Sequence, residues 1–295
     1  MGWLSIRLSV PAARVDALCD TLLHTGAQSV TVGDAGDAPV FEPDPGETPL
    51  WPHAEVDALF PLDVDIGAIR ARLLAELGDA FARTRLDVSF VEDVDWSQTW
   101  RDHAIRYCFG GRLWVVPRDA EAPDNDAVVL RLDPGLAFGT GGHATTAMCL
   151  DWLAQHDLAG CSVIDFGAGS GILGIAALLL GANGVNAVDH DPQARIATRA
   201  NATYNGIGSE RLRVMAPDTL PTTTHDLVLA NILAGPLMTL APVLTGLIKP
   251  GGLLVMSGML EHQLDAVLAH YPGFRFAAAQ VRDSWVMVEG TRTGG

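Results

Sequence analysis

The feature that most constrains this chain is the run from Ser162 to Leu180, in which an apolar block of strand length, Ser162–Phe166, enters a glycine turn and leaves as an apolar helix, Ile172–Leu180. Two parallel strands cannot be joined by a tight hairpin, so a strand, turn and helix of this kind is the opening half of a parallel crossover. The alternation continues through a strand at Val185–Val188, a helix at Pro192–Asn205, and strands at Leu212–Met215 and Asp226–Asn231. Repetition of this sort predicts an α/β domain with a doubly wound, mainly parallel sheet. Upstream, strands at Leu113–Val116 and Val128–Leu132 and a helix at Thr145–Gln155 lead into it.

The first 92 residues read differently. A strand at Trp3–Val10 alternates, a helix at Pro11–Thr25 repeats its apolar residues at helical spacing, and Gly26 stops it. A short strand at Ser29–Val32, a loop dense in Gly, Pro and Asp, a strand at Glu55–Leu59, a helix at Ile66–Leu77 and a strand at Thr84–Val91 follow. This order predicts a smaller N-terminal α+β domain of ferredoxin-like type. The expected boundaries are residues 1–92, a linker over 93–106 that includes most of the polar, helix-compatible run Glu92–Arg101, and a larger domain over 107–295.

Charge narrows the partners. Thirty-five acidic residues against 19 basic ones give a net charge of -16, which argues against a phosphate backbone and fits a basic partner. The longest apolar run, Ile172–Ala182, falls well short of a bilayer span, so no membrane insertion is expected. The start, MGWLSIRLSV, lacks the pattern of a secretory signal and points to the cytoplasm. Cys19, Cys108, Cys149 and Cys161 are scattered and form no CxxC pair, so neither a disulfide framework nor a metal site is expected.

Gly167, Gly169 and Gly171 are spaced GxGxG, which lets backbone approach a nucleotide-like ligand but departs from the GxGxxG that seats a pyrophosphate. A tight turn without a ligand is the plain alternative. Asp189 ends the next strand, where its carboxylate can accept from both hydroxyls of a ribose; Asp191 suits a helix cap before Pro192, and His190 has no evident role. The glycine-rich segment from Leu132 to Thr146 reads as a lid, with Phe138 as an apolar cover and Thr145 or Thr146 offering a hydroxyl to the ligand, or capping the helix. Asn231-Ile232-Leu233-Ala234 ends a later strand on the edge where such sheets bind ligands. There the Asn231 carbonyl could orient an amine in dry surroundings, or the residue could serve a turn.

Together the segments LDPGLAFGTGGHATT, VIDFGAGSGILGIAAL, AVDHDPQA and LVLANILAGPL, with VFEPDPGETPLW and DVDWSQTW upstream, closely resemble the bacterial ribosomal protein L-eleven methyltransferase (PrmA) family over nearly the whole chain. The resemblance implies a Rossmann-like, S-adenosylmethionine-dependent methyltransferase acting on lysine side chains and the N-terminal amine of a basic large-subunit ribosomal protein, which the small domain would hold. It implies cofactor contacts at Thr146, Gly167, Gly169, Asp189 and Asn231, with Asn231 also at the reaction centre. Gly142 and Ala144 stand where the family loop is expected to carry Thr and Pro, which predicts a looser lid. An RNA methyltransferase, a nicotinamide-dependent oxidoreductase and a non-catalytic binding protein are the competing readings.

Overall fold

The computed structural model describes residues 2–36, 51–78, 86–92, 106–121, 127–133 and 141–294. The chain divides into two compact units, Met1–Trp96 and Ser97–Gly295.

In the first unit, strands β1 (Gly2–Pro11), β2 (Ser29–Asp34), β3 (His53–Pro61) and β4 (Asp87–Glu92) and helices α1 (Val15–His24) and α2 (Ile66–Leu77) follow in the order βαββαβ. The sheet runs β2-β3-β1-β4, antiparallel throughout. Alternate residues of β1 and β3 (Ile6, Leu8, Val10, Val56, Ala58 and Phe60) pack against Val15, Leu18 and Leu22 of α1 and Ile69 and Leu73 of α2. The expected helix at Pro11–Thr25 begins later, since Ala12–Arg14 winds as a tighter turn first. Asp65 starts α2 by accepting from the backbone N–H of Gly67 at 2.8 Å and of Ala68 at 3.2 Å. Most of the polar run Glu92–Arg101 lies outside the described residues, as do residues 79–85, Thr84 among them.

The second unit carries β5 (Tyr107–Phe109), β6 (Leu113–Pro117) and β7 (Val128–Leu132) as a small sheet ahead of the main one. Helix α3 (Ala144–Gln155) then leads to β8 (Ser162–Phe166), α4 (Ile172–Leu179), β9 (Gly184–Val188), α5 (Pro192–Tyr204), β10 (Leu212–Met215) and β11 (His225–Asn231). After β11 come α6 (Ala234–Thr239), α7 (Ala241–Gly246), β12 (Ile248–Leu260), α8 (Leu264–Leu268), β13 (Phe274–Phe276), β14 (Gln280–Arg282) and β15 (Trp285–Arg292). The main sheet runs β10-β9-β8-β11-β12-β15-β13, with β14 also on β15. Its strands are parallel from β10 to β12, and β15 pairs antiparallel to its neighbours. The doubly wound, mainly parallel α/β fold expected from the sequence is therefore present.

From β8 the chain winds outward through β9 and β10, then returns to place β11 on the other side of β8. The order reverses at the β8/β11 pair, and the crevice at the carboxyl ends of those two strands is where open sheets of this kind bind ligands. β8 is buried from Val163 onward and α4 from Ile172 to Leu178, which is why both read as near-continuous apolar runs. At the opposite end of the sheet, Asp226 accepts from the Ser162 N–H and hydroxyl at 2.9 and 2.6 Å and from Lys249 at 2.7 Å, tying β8, β11 and β12 together. Burial alone would raise its carboxyl, but the bonds from Lys249 and Ser162 win and hold it at about 2. Among the described residues no helix is long and apolar enough to cross a membrane.

Candidate active site

The crevice is built first by backbone. Gly167, Gly169 and Gly171 have φ of 77°, 55° and 80°, left-handed values that side-chain-bearing residues rarely adopt, so the loop could not be drawn with alanines. Gly167 and Ala168 both donate N–H to the Val188 carbonyl, at 2.8 and 3.0 Å, stitching the loop to the end of β9. From α5, Thr198 donates its hydroxyl to the Gly169 carbonyl at 2.9 Å and Asn201 its amide to the Ser170 carbonyl at 2.9 Å. These two residues support the loop and were not singled out from the sequence. Their signal was present: Thr198 and Asn201 share the buried stripe of α5 with Ala194 and Ala197, where polar groups need a stated partner.

Asp189 and Asp191 divide their work. Asp191 caps α5 by accepting from the Gln193 N–H at 2.8 Å, with Pro192 in the first helical turn. Asp189 accepts from the Gly169 N–H at 2.8 Å with one oxygen and from the Asp191 N–H at 2.9 Å with the other. It therefore fixes the loop as well as facing the crevice. A carboxylate has about four lone-pair directions, so this engagement leaves acceptor capacity for a ligand. His190, whose side chain is 92% exposed, sits 3.5 Å from Asp189.

Thr146, Asp165, Gly167, Ala168, Gly169, Ile172, Leu173, Asp189, His190, Asn231 and Ile232 line one cavity. It brings together all five of Thr146, Gly167, Gly169, Asp189 and Asn231. The Asn231 amide nitrogen donates to the Thr146 hydroxyl at 3.3 Å across 85 positions of sequence. Thr145 does not line the cavity; its hydroxyl is 2.8 Å from His143 Nδ1. His143, not either threonine, is the N-cap of α3, a role histidine seldom takes and the sequence did not suggest. Phe138 and the middle of the expected lid fall outside the described residues. Gly142 is exposed, and a Cβ there would lie 2.7 Å from the Tyr107 hydroxyl, so glycine makes room for Tyr107 at this position.

Asp165 belongs to the same cavity and is only 1% exposed. Burial pushes its carboxyl up to about 7, against the bond it accepts from the Gly174 N–H at 2.8 Å, and the neighbouring Asp189 adds to the rise. A carboxyl raised in the folded state binds protons there that the unfolded chain has released between about pH 4 and 7, so stability falls as pH rises through that window, by up to about 1.36 kcal/mol per unit. Asp165→Asn keeps an acceptor for Gly174 and cannot ionise. Urea unfolding should show its stability relative to the parent increasing from pH 4 to 7 and levelling above; a difference that stays flat with pH would contradict the raised carboxyl.

The sequence profile of the ribosomal protein L11 methyltransferase (PrmA) family matches residues 2–293. The chain belongs to this family. A relative named ribosomal protein L11 methyltransferase from Pseudomonas putida W619 is 48% identical over 293 residues, covering 99% of this chain and all of the relative. Its counterpart from Azotobacter vinelandii is 50% identical over the same length. The crystal structure of a ribosomal protein L11 methylase from Lactobacillus delbrueckii superposes with a TM-score of 0.56 and 33% identity, covering 62% of this chain and 96% of that one. For a PrmA-family chain, the lining of the cavity is chemically apt: it holds two carboxylates and no Lys or Arg among the described residues, which suits a cationic ligand and offers nothing to a pyrophosphate.

Proposed function

We infer that this protein transfers methyl groups from S-adenosylmethionine to lysine side chains and the N-terminal amine of ribosomal protein L11. The observation that carries the reading is the cavity at the β8/β11 switch point, where a left-handed glycine loop, the Asp189 carboxylate and the Asn231–Thr146 pair meet. Relatives at 48 and 50% identity bear the name of that activity.

The residues present fit the cofactor. Asp189 would take the ribose diol, the glycine loop would admit the nucleoside edge, and the acidic lining favours a ligand carrying positive charge. When bound, adenosylmethionine supplies an electrophilic methyl group on sulfur. The chain's own work is then positioning and drying: Asn231 presents a carbonyl to an amine N–H, while Ile232 beside it keeps the surroundings apolar. A lysine amine has a reference pKa near 10.4, so keeping it neutral at pH 7 costs roughly 4 to 5 kcal/mol. An apolar wall lowers that cost, and Asp165, its carboxyl raised to about 7 by burial, is a weaker counter-charge than an ordinary carboxylate. The first unit is proposed to hold the substrate, and the net charge of -16 matches a basic protein.

Mass spectrometry of purified ribosomal protein L11 after incubation with the protein and adenosylmethionine tests the reading. Whole-methyl mass increments on lysines and the N-terminus are expected, and an unchanged mass with cofactor bound would defeat the substrate assignment. Titration with adenosylmethionine and with NAD in parallel separates the methyltransferase from the oxidoreductase reading, since only the former should bind at micromolar concentration.

A further inference from the structure

We propose that Gly258, on β12 and outside the cofactor cavity, is a positioning residue for methyl transfer, acting through the peptide of Ile232. Register carries the first part of the case. β12 pairs with β15 through Ser257↔Met287 and then Met259↔Val286, so Gly258 is the extra residue of a bulge. Bulges re-aim the chain locally and recur beside active sites. Its φ of 93° is left-handed.

Contact carries the second part. A Cβ on Gly258 would lie 2.3 Å from the Ile232 carbonyl oxygen, 2.7 Å from its carbonyl carbon and 3.1 Å from its nitrogen. These are backbone atoms and cannot swing aside as a side chain would. The Ile232 side chain is approached as well: a Cβ on Gly167 would lie 2.3 Å from Ile232 Cγ2. Ile232 thus meets two glycines, Gly167 of the cofactor loop through its side chain and Gly258 of the bulge through its backbone, with its N–H donated to the Ser257 carbonyl at 3.1 Å. Ser257 is also the ladder partner of Asn231. The bulge therefore sets where the chain turns as it leaves β11, and with it the place of the Asn231 carbonyl and the Ile232 wall. A missing side chain at Gly258 is what allows the two backbones to touch.

The inference rests on the methyl-transfer reading, and the test separates the two. Gly258→Ala should lower kcat on ribosomal protein L11 on the order of 100-fold, the scale of a misplacement near 1 Å, while the adenosylmethionine Kd from calorimetry moves less than about threefold. Gly251→Ala is the control: Gly251 lies on the same strand with φ of 77° and nothing within 4 Å of an added Cβ, so it carries the backbone strain without the contact and should keep the parental kcat. Equal kcat for the two variants below their melting temperatures, or a Gly258→Ala loss that follows cofactor affinity, overturns the proposal. If Gly258→Ala does not fold, deleting Gly258 removes the bulge without adding a Cβ, and there a kcat loss with cofactor affinity retained supports the role while a parental kcat overturns it. An unaltered protein that binds cofactor yet methylates nothing would instead defeat the reading beneath.

Discussion

Asp189→Ala should raise the adenosylmethionine Kd by roughly a thousandfold. Two losses combine. The carboxylate, 8% exposed at residue level, is the proposed acceptor for two ribose hydroxyls, and hydrogen bonds to a charged acceptor contribute about 1.5–3 kcal/mol each. It also holds the Gly169 and Asp191 N–H groups at 2.8 and 2.9 Å, which truncation would leave unpartnered at about 1–3 kcal/mol apiece. At 1.4 kcal/mol per factor of ten, the ribose part alone amounts to about two to four powers of ten. Asp189→Asn should fare little better, because one of its two acceptors becomes an NH2 that must face a backbone donor. Calorimetric titration of both variants checks this, and affinities within tenfold of the parent would remove Asp189 from the cofactor site.

Gly167→Ala should be comparably severe for a different reason. At φ of 77° an alanine carries about 1–2 kcal/mol of backbone strain. Its methyl would also stand 2.3 Å from Ile232 Cγ2, an overpacking worth roughly 1–3 kcal/mol. The loop can relieve both only by pulling away from Val188, to which Gly167 and Ala168 donate at 2.8 and 3.0 Å, and that would spoil the surface the cofactor meets. We expect the Kd to rise by about a hundredfold to a thousandfold. Because the clash is with the methyl on the stiff β-branch of Ile232 and not with its backbone, adding Ile232→Ala should restore the overpacking part but not the strain, giving a coupling of about 1–3 kcal/mol between the two sites. Additive effects would mean that Gly167 and Ile232 do not meet.

Much of the second unit was legible where a local signal existed. Ser162–Phe166, Leu212–Met215 and Val128–Leu132 are strands with the expected bounds, since short apolar runs flanked by turn residues have few other uses. Asp191-Pro192 marked the start of α5 because cap chemistry is local. After Asn231 no local pattern announces the next elements. β12 opens with Ile248-Lys249-Pro250-Gly251-Gly252, which reads as a turn until a neighbouring strand pairs with it. The hairpin turn at Asp283-Ser284, both at positive φ, lacks the glycine that usually announces one.

By itself the sequence determined that a glycine loop follows a buried strand, that a carboxylate ends the next strand and that helix α5 starts at Pro192, because each depends on neighbours a few residues away. Only the tertiary structure decided that β11 lies beside β8, and so that Asn231 meets Thr146. Strand order is set by which apolar faces can be buried together across the whole domain, and no window of sequence contains that sum. The same holds for Ile232: its side chain meets Gly167 and its backbone meets Gly258, joining three distant segments, and although Gly167 stands out in the GxGxG spacing, Gly258 looks in the sequence like any other glycine.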